Sequence, residues 1–278
     1  MAAPLPADAG FDVLFAAWLE AHDDFSQLAW ELTDDEWVLP TDLSGWSVGD
    51  VVAHVAWLEG FLGGHVDDEH APVWADLPHA QSDFARLVEK PVDLRRSWER
   101  ERVLAELDEA VQRRRVLLES GARDPEEIIV GLLGPVPLSH NLRVRAFDSW
   151  VHEQDIRAVV GRPVHAESPG AQATAAHLLR GLPGVWADKA GAQPGETLEL
   201  RVTGPIAFTA YVGVSADGVG EVRAARDGVP TVALDMPWDS YVGLATGRGT
   251  RSAWLERVSH TGSDERAHAV LDAFCITP

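Results

Sequence analysis

The chain has almost no cysteine. Cys275, three residues from the end of 278, is the only one, so neither an internal disulfide nor a cysteine zinc knuckle can form. The expected compartment is the reducing cytoplasm. Basic residues are also few: 23 Lys and Arg against 44 Asp and Glu give a formal net charge of −21. Such a surface repels phosphate backbones. The densest basic run, Arg113 to Arg115, lies in a helical pattern beside acids and reads as a solvated face, so no nucleic-acid partner is expected. No stretch reaches the roughly twenty apolar residues that span a bilayer, and no charged region leads into an apolar core at the start. Neither a membrane partner nor a targeting segment is expected. The 46% hydrophobic and 24% charged shares are those of a soluble globular protein, and the length favours two modest domains over one large one.

Apolar residues at helical spacing, Phe11, Leu14, Phe15, Trp18 and Leu19, predict a first helix within 9–32. Ser47 with Asp50 three residues on is a close variant of the capping box and opens a second helix that runs to about Gly63. Residues 66–96, with several prolines and no sustained period, read as a long connection with short helical pieces. Ser97 opens a third helix that ends near Gly121, and Ser139 to Val160 is a fourth, closed by Gly161 and Pro163. Beyond Pro163 a helical stretch from Ala171 to Ala187 precedes the period-two runs ETLELRVTG and IAFTAYVGV, then GEVRAAR and TVALDM, all read as strands. PWDSYVGLAT and ERAHAVLDAF read as helices, and no internal repeat is evident. The fold class is therefore an all-helical half followed by an α+β half.

Asp148 and His152, four apart in RVRAFDSWVHEQDIR, project from one helix face and offer two corners of a divalent metal site. Asp155 continues the stripe, either as acceptor for a ligating imidazole or as partner for Arg157 or Arg162. His54, with Val51, Val55 and Leu58 on its own face, points to the core and supplies a third ligand from a facing helix. Two imidazoles and one carboxylate leave an open position suited to catalytic zinc, and the same set also accepts iron, nickel or manganese. The bland alternative is a hydrogen-bonded core histidine at 54 and an Asp148–Arg145 pair. A second cluster, His65, Asp67, Asp68, Glu69 and His70, reads as a solvated loop, and Trp46 as a packing residue or the lip of the site.

At SGWSVGDVVAHVAWLE and DSWVHEQD the chain resembles the mycothiol-dependent maleylpyruvate isomerase family, over nearly its whole length. The resemblance implies a DinB-like metal-binding four-helix bundle over 1–165, with His54, Asp148 and His152 as metal ligands. It implies a sterol-carrier-like α+β domain over 166–278, on the weaker cues RVTGPIAF, the LATGR segment ending in Arg248, and the terminal FCITP. One departure stands out: relatives commonly carry glutamate where this chain has Asp148. The implied activity is thiolate chemistry at a divalent metal, zinc first, with mycothiol as cosubstrate. Its outcome is cis–trans isomerisation of a small electrophile or thiol S-transfer to one. Metal coordination favours the thiolate, so no reactive cysteine is needed and Cys275 is left as a packing residue. Arg248, brought by the second domain, is the expected catalytic cation for a carboxylate, with an ordinary turn arginine as the alternative. The expected assembly is a monomer or homodimer. A non-catalytic small-molecule or lipid binder that keeps a structural metal is the competing function.

Overall fold

The fourth helix shows how the sequence builds the first half. In the computed structural model, which describes residues 2–121 and 124–277, it runs over Leu138–Val159 and buries Leu142, Ala146, Phe147, Trp150, Val151 and Ile156. Its polar residues Arg145, Asp148, His152 and Asp155 fall three, four and three apart, which sets them in one stripe on successive turns. Naming helices in chain order, α1 is Phe11–Glu31, α2 the single turn Asp34–Trp37, α3 Val48–Leu62, α4 Asp83–Arg95, α5 Arg100–Ser120 and α6 Leu138–Val159. The four long helices close a ring in which α3 packs on α5, α5 on α1, α1 on α6 and α6 on α3.

Helix α3 is buried along nearly its whole length, from Val48 to Gly60, so His54 and Glu59 face protein rather than water. Ser47 starts it through a full capping box: its hydroxyl accepts from the Asp50 N–H at 3.2 Å and Asp50 Oδ2 accepts from the Ser47 N–H at 2.9 Å. Gly63 closes it.

Three local expectations change. The stretch 66–96 contains a regular 13-residue helix, α4, capped by Ser82 and continuous through Pro91. An internal proline removes one helical hydrogen bond and normally argues against a helix, which hides this one in the sequence. Ser97 does not open α5. Its hydroxyl donates to the Leu94 carbonyl at 3.2 Å, and Glu99 stands at the N-cap. A hairpin of β1 (Ile128–Gly131) and β2 (Gly134–Pro137) precedes α6, its strand character masked by Pro135 and Pro137.

The chain divides into two compact units, residues 8–170 and residues 1–7 with 171–278. In the second, α7 (Pro169–Gly184) ends in a wide turn over Val185–Lys189. A five-stranded sheet follows, of β3 (Thr197–Thr203), β4 (Phe208–Val214), β5 (Gly220–Arg223), β6 (Val232–Pro237) and β7 (Ser259–Gly262) in the order β5-β4-β3-β6-β7. Only β3 and β6 are parallel. Register places Leu198, Val212 and Val232 in one apolar row and Leu200, Ala210 and Leu234 in the next. The opposite face carries Glu199, Arg201 and Asp235 as an ion ladder, with Arg201 2.6 Å from Asp235 and 2.8 Å from Glu199. Helices α8 (Trp238–Thr246), α9 (Arg251–Leu255) and α10 (Asp264–Asp272) complete this unit. Ala2 bridges Ile206, which ties the start of the chain to the sheet. No helix among the described residues is long and apolar enough to cross a membrane.

Because the Ser47 box sets the start of the helix that carries His54, Ser47→Ala should lower stability by about 1 kcal/mol. Urea unfolding followed by circular dichroism measures it; an unchanged midpoint would mean the cap contributes nothing.

Candidate metal centre

Helices α3 and α6 run antiparallel where they meet, with Glu59 opposite Arg145 and His54 opposite Asp148 and His152. His54, Asp148 and His152 each turn one donor atom inward, and the three atoms lie within 4.8 Å of one another. His54 Nε2 is 3.6 Å from Asp148 Oδ2, and His152 Nε2 is 3.6 Å from Asp148 Oδ1. These separations exceed hydrogen-bond length. Two donors bound about 2.0–2.1 Å from a shared tetrahedral ion lie roughly 3.3 Å apart. Both imidazoles are buried, whereas the Asp148 side chain is 22% exposed, so the cluster has one side open to solvent.

The hydrogen bonding leaves these donor atoms able to hold a cation. His152 Nδ1 lies 3.0 Å from Asp155 Oδ2, and a carboxylate there holds the proton on Nδ1. Nε2 then turns a bare lone pair toward the Asp148 carboxylate. His54 Nδ1 is buried with no hydrogen-bond partner among the described residues, so its Nε2 is the only nitrogen directed at another donor of the cluster. Burial is the main force on His54; it lowers the pKa, and the pull of Asp148 only partly offsets it. The neutral imidazole is the form that ligates metal.

Asp148 is held as a carboxylate. Burial alone would raise its pKa, but Arg145, then His152 and His54, outweigh it and set it well below the usual carboxylate range. Arg145 NH1 donates to Asp148 Oδ2 at 2.8 Å. Oδ2 is thus shared between Arg145 and the approach of His54, while Oδ1 faces His152 alone.

Behind Arg145 stands Glu59, a fully buried carboxylate that the sequence reading did not single out. It accepts from Arg145 Nε at 2.6 Å and Trp18 Nε1 at 3.3 Å, and lies 3.1 Å from His22 Nε2 and 3.5 Å from Arg114 Nε. Desolvation pushes its pKa up, yet His22, Arg145 and Arg114 carry it below the ordinary 4.5. Its signal in the sequence was a glutamate inside an otherwise apolar helix. A second buried carboxylate, Glu89, was missed with α4. It accepts from Trp46 Nε1 at 2.6 Å, pairs with Arg96 at 2.6 Å and lies 2.9 Å from His79. Trp46, so held, lies over the cluster with its ring 5.1 Å from that of His54 and 6.4 Å from that of His152.

The other expected residues lie elsewhere. Asp67 is gripped by the buried Arg95 at 2.7 Å, and His70 lies 2.7 Å from Asp93, so this segment is anchored to α4 rather than simply solvated; Asp68 and Glu69 are exposed. His65, Asp67 and Glu106 bring donor atoms together, but Arg95 NH2 sits 2.5 Å from Glu106 and neutralises them. Asp24, Glu153 and His165 form a third group, with Glu153 bound to Arg157 at 2.6 Å. Arg248 belongs to the second unit, where its NH1 donates to the Thr246 carbonyl at 2.8 Å just past α8. Cys275 is exposed and not a packing residue; its Sγ lies 3.4 Å from the Thr277 carbonyl. Pro278, the end of the FCITP cue, lies outside the described residues.

The family model for the mycothiol maleylpyruvate isomerase N-terminal domain matches residues 18–157, half of the chain and all of the residues around the cluster. This chain belongs to that family. Two solved structures share the fold over most of this chain. They are the crystal structure of the mycothiol-dependent maleylpyruvate isomerase and that of a variant with one histidine replaced by alanine. Each is 19% identical, and each alignment covers 92% of this chain and 93% of the other, with TM-scores of 0.55 and 0.56 respectively. No curated protein matches the chain.

Since the Glu59 pKa is depressed, its stabilisation is fully present above the ordinary 4.5 and is lost as pH falls through the folded value. Acid unfolding should therefore be steeper below pH 4.5 in the wild type than in Glu59→Gln, measured by urea titrations at a series of pH values. Parallel pH profiles would refute the assignment.

Proposed function

We propose that this protein is a mycothiol-dependent metalloenzyme that activates a low-molecular-weight thiol for cis–trans isomerisation of an electrophile or for thiol S-transfer. Membership of the mycothiol maleylpyruvate isomerase family supports the thiol and the isomerase reading. The observation that carries the metal reading is the convergence of His54, Asp148 and His152 on a point with one open side. These residues would hold a divalent ion, zinc first by donor type. Such an ion lowers the pKa of a coordinated thiol and so makes the nucleophilic form available near neutral pH.

The protein's own groups prepare that site. Asp155 fixes the proton of His152 on Nδ1 and leaves Nε2 as a donor of electrons. Arg145 keeps Asp148 ionised and aimed. Trp46 covers the imidazoles with an apolar ring and limits water over them. In the isomerase reading, the thiolate sulfur adds to one carbon of a double bond conjugated to a carbonyl. The π electrons move onto the carbonyl oxygen, the new single bond rotates, and return of the electrons expels the thiolate with the trans bond in place. In the transfer reading the adduct is protonated, or a leaving group departs, and the carbon–sulfur bond persists. Arg248 belongs to this proposal as the cation for a substrate carboxylate. The domain assignment does too: a DinB-like bundle to about residue 165 and a sterol-carrier-like unit beyond it.

Untagged protein should carry one divalent ion per chain by elemental analysis. His54→Ala should lose it, with thiol-dependent turnover of maleylpyruvate or a generic electrophile falling at least about 100-fold. A metal-free, folded wild type would remove the metal from the proposal, and bound metal without any thiol turnover would favour the carrier reading. Arg248→Ala should raise KM for a dicarboxylate roughly tenfold and leave KM for a neutral electrophile unchanged. Equal effects on both substrates would reduce Arg248 to a turn residue.

A further inference from the structure

We propose that Glu59 is a positioning residue for the metal centre, acting through Arg145 to hold Asp148 in place and to balance the charge beside it. The inference rests on the metal reading above and goes beyond it, since Glu59 touches none of the three donor residues. The connection is direct: Glu59 Oε1 takes the Nε proton of Arg145 at 2.6 Å, and NH1 of the same guanidinium donates to Asp148 Oδ2 at 2.8 Å. A guanidinium is planar and rigid, so fixing Nε fixes the direction of NH1. Glu59 is itself immobile, with Trp18, His22, Arg114 and Arg145 around its two oxygens and no solvent exposure.

Charge gives Glu59 a second role. Arg145 is buried against the cluster and Arg114 is buried against Glu59, so without the Glu59 charge two buried guanidiniums would stand with one carboxylate fewer, close to a point that has to take a cation. Glu59 cancels one of the two. Neutralising it leaves Arg145 free to tighten on Asp148, competing with the ion for the same carboxylate, and adds repulsion through a medium that screens poorly.

Zinc affinity reads both effects without reference to turnover. Competition of Zn²⁺ against a chromophoric chelator should show Glu59→Gln binding about 10–100-fold more weakly than wild type, the usual range for residues that orient a ligand. Glu199→Gln, a buried carboxylate in the other unit, should bind as wild type does. In the Arg145→Gln background, Glu59→Gln should cost less than it does alone, because its positioning effect passes through Arg145 and only its charge remains. Should Glu59→Gln fail to fold, Arg145→Lys tests the same contact, since a single ammonium cannot reproduce the paired geometry, and it should show a comparable loss. Wild-type affinity in Glu59→Gln, or losses that multiply in the double variant, would overturn the role of Glu59. Absence of zinc binding by the wild type would instead overturn the metal centre on which the inference rests.

Discussion

Arg145 donates to two carboxylates at once, Glu59 on one helix and Asp148 on its own, and the arrangement of the bundle interior follows from that bridge. An arginine with 3% side-chain exposure is tolerable only when its charge is matched; removing one partner of such a pair costs roughly 3–5 kcal/mol. The match requires α3 and α6 to be antiparallel and in one register. Once Glu59 faces Arg145, the helical rise brings His54 level with Asp148 and His152. The ion pair therefore does not merely coexist with the donor cluster. It sets the axial position at which the cluster forms.

A second clamp works from the other side. Glu89, buried on α4, holds the Trp46 indole, and that indole lies against His54. The capping box at Ser47 places Trp46 immediately before α3, so the residue covering the site and the helix bearing its first donor share one origin. Buried carboxylates thus fix both the base and the cover of the centre, and each is balanced by arginine: Arg114 and Arg145 for Glu59, Arg96 for Glu89. Such charge-matched polar networks are costly to break and specify one arrangement among many apolar packings of similar energy.

The parts legible in the sequence were those with local causes. The helical periods of α1, α3 and α6, the Ser47 cap and the alternation in β3, β4 and β6 depend on neighbouring residues, and the structure reproduces them within a few positions. The i, i+4 geometry of Asp148 and His152 is local as well. What stayed hidden depended on distant partners. Glu59 is 86 residues from Arg145, and only the tertiary fold shows that a charge in an apolar helix is matched. Helix α4 was concealed by Pro91, although the packing of α4 on α3 outweighs one missing backbone bond. The sequence posed His54 and Asp148 as either metal donors or ordinary polar pairs. The pair with Arg145 and the convergence with the histidines are both present: Arg145 and His54 share Oδ2, and His152 faces Oδ1.

The same geometry bears on the choice of aspartate rather than glutamate at position 148. A glutamate reaches farther, with one more rotatable bond to order before it can ligate. Asp148 has the shorter arm, and Arg145, three residues earlier on the same face, captures one of its oxygens at 2.8 Å while both oxygens remain 3.6 Å from an imidazole nitrogen. A carboxylate close to its own helix is easily held by an i, i+3 partner, and that partner is in turn oriented by Glu59. The short side chain and the bridging arginine are therefore linked: with Asp148 the reach given up is matched by a carboxylate whose direction is set from within the helix and from the bundle core behind it.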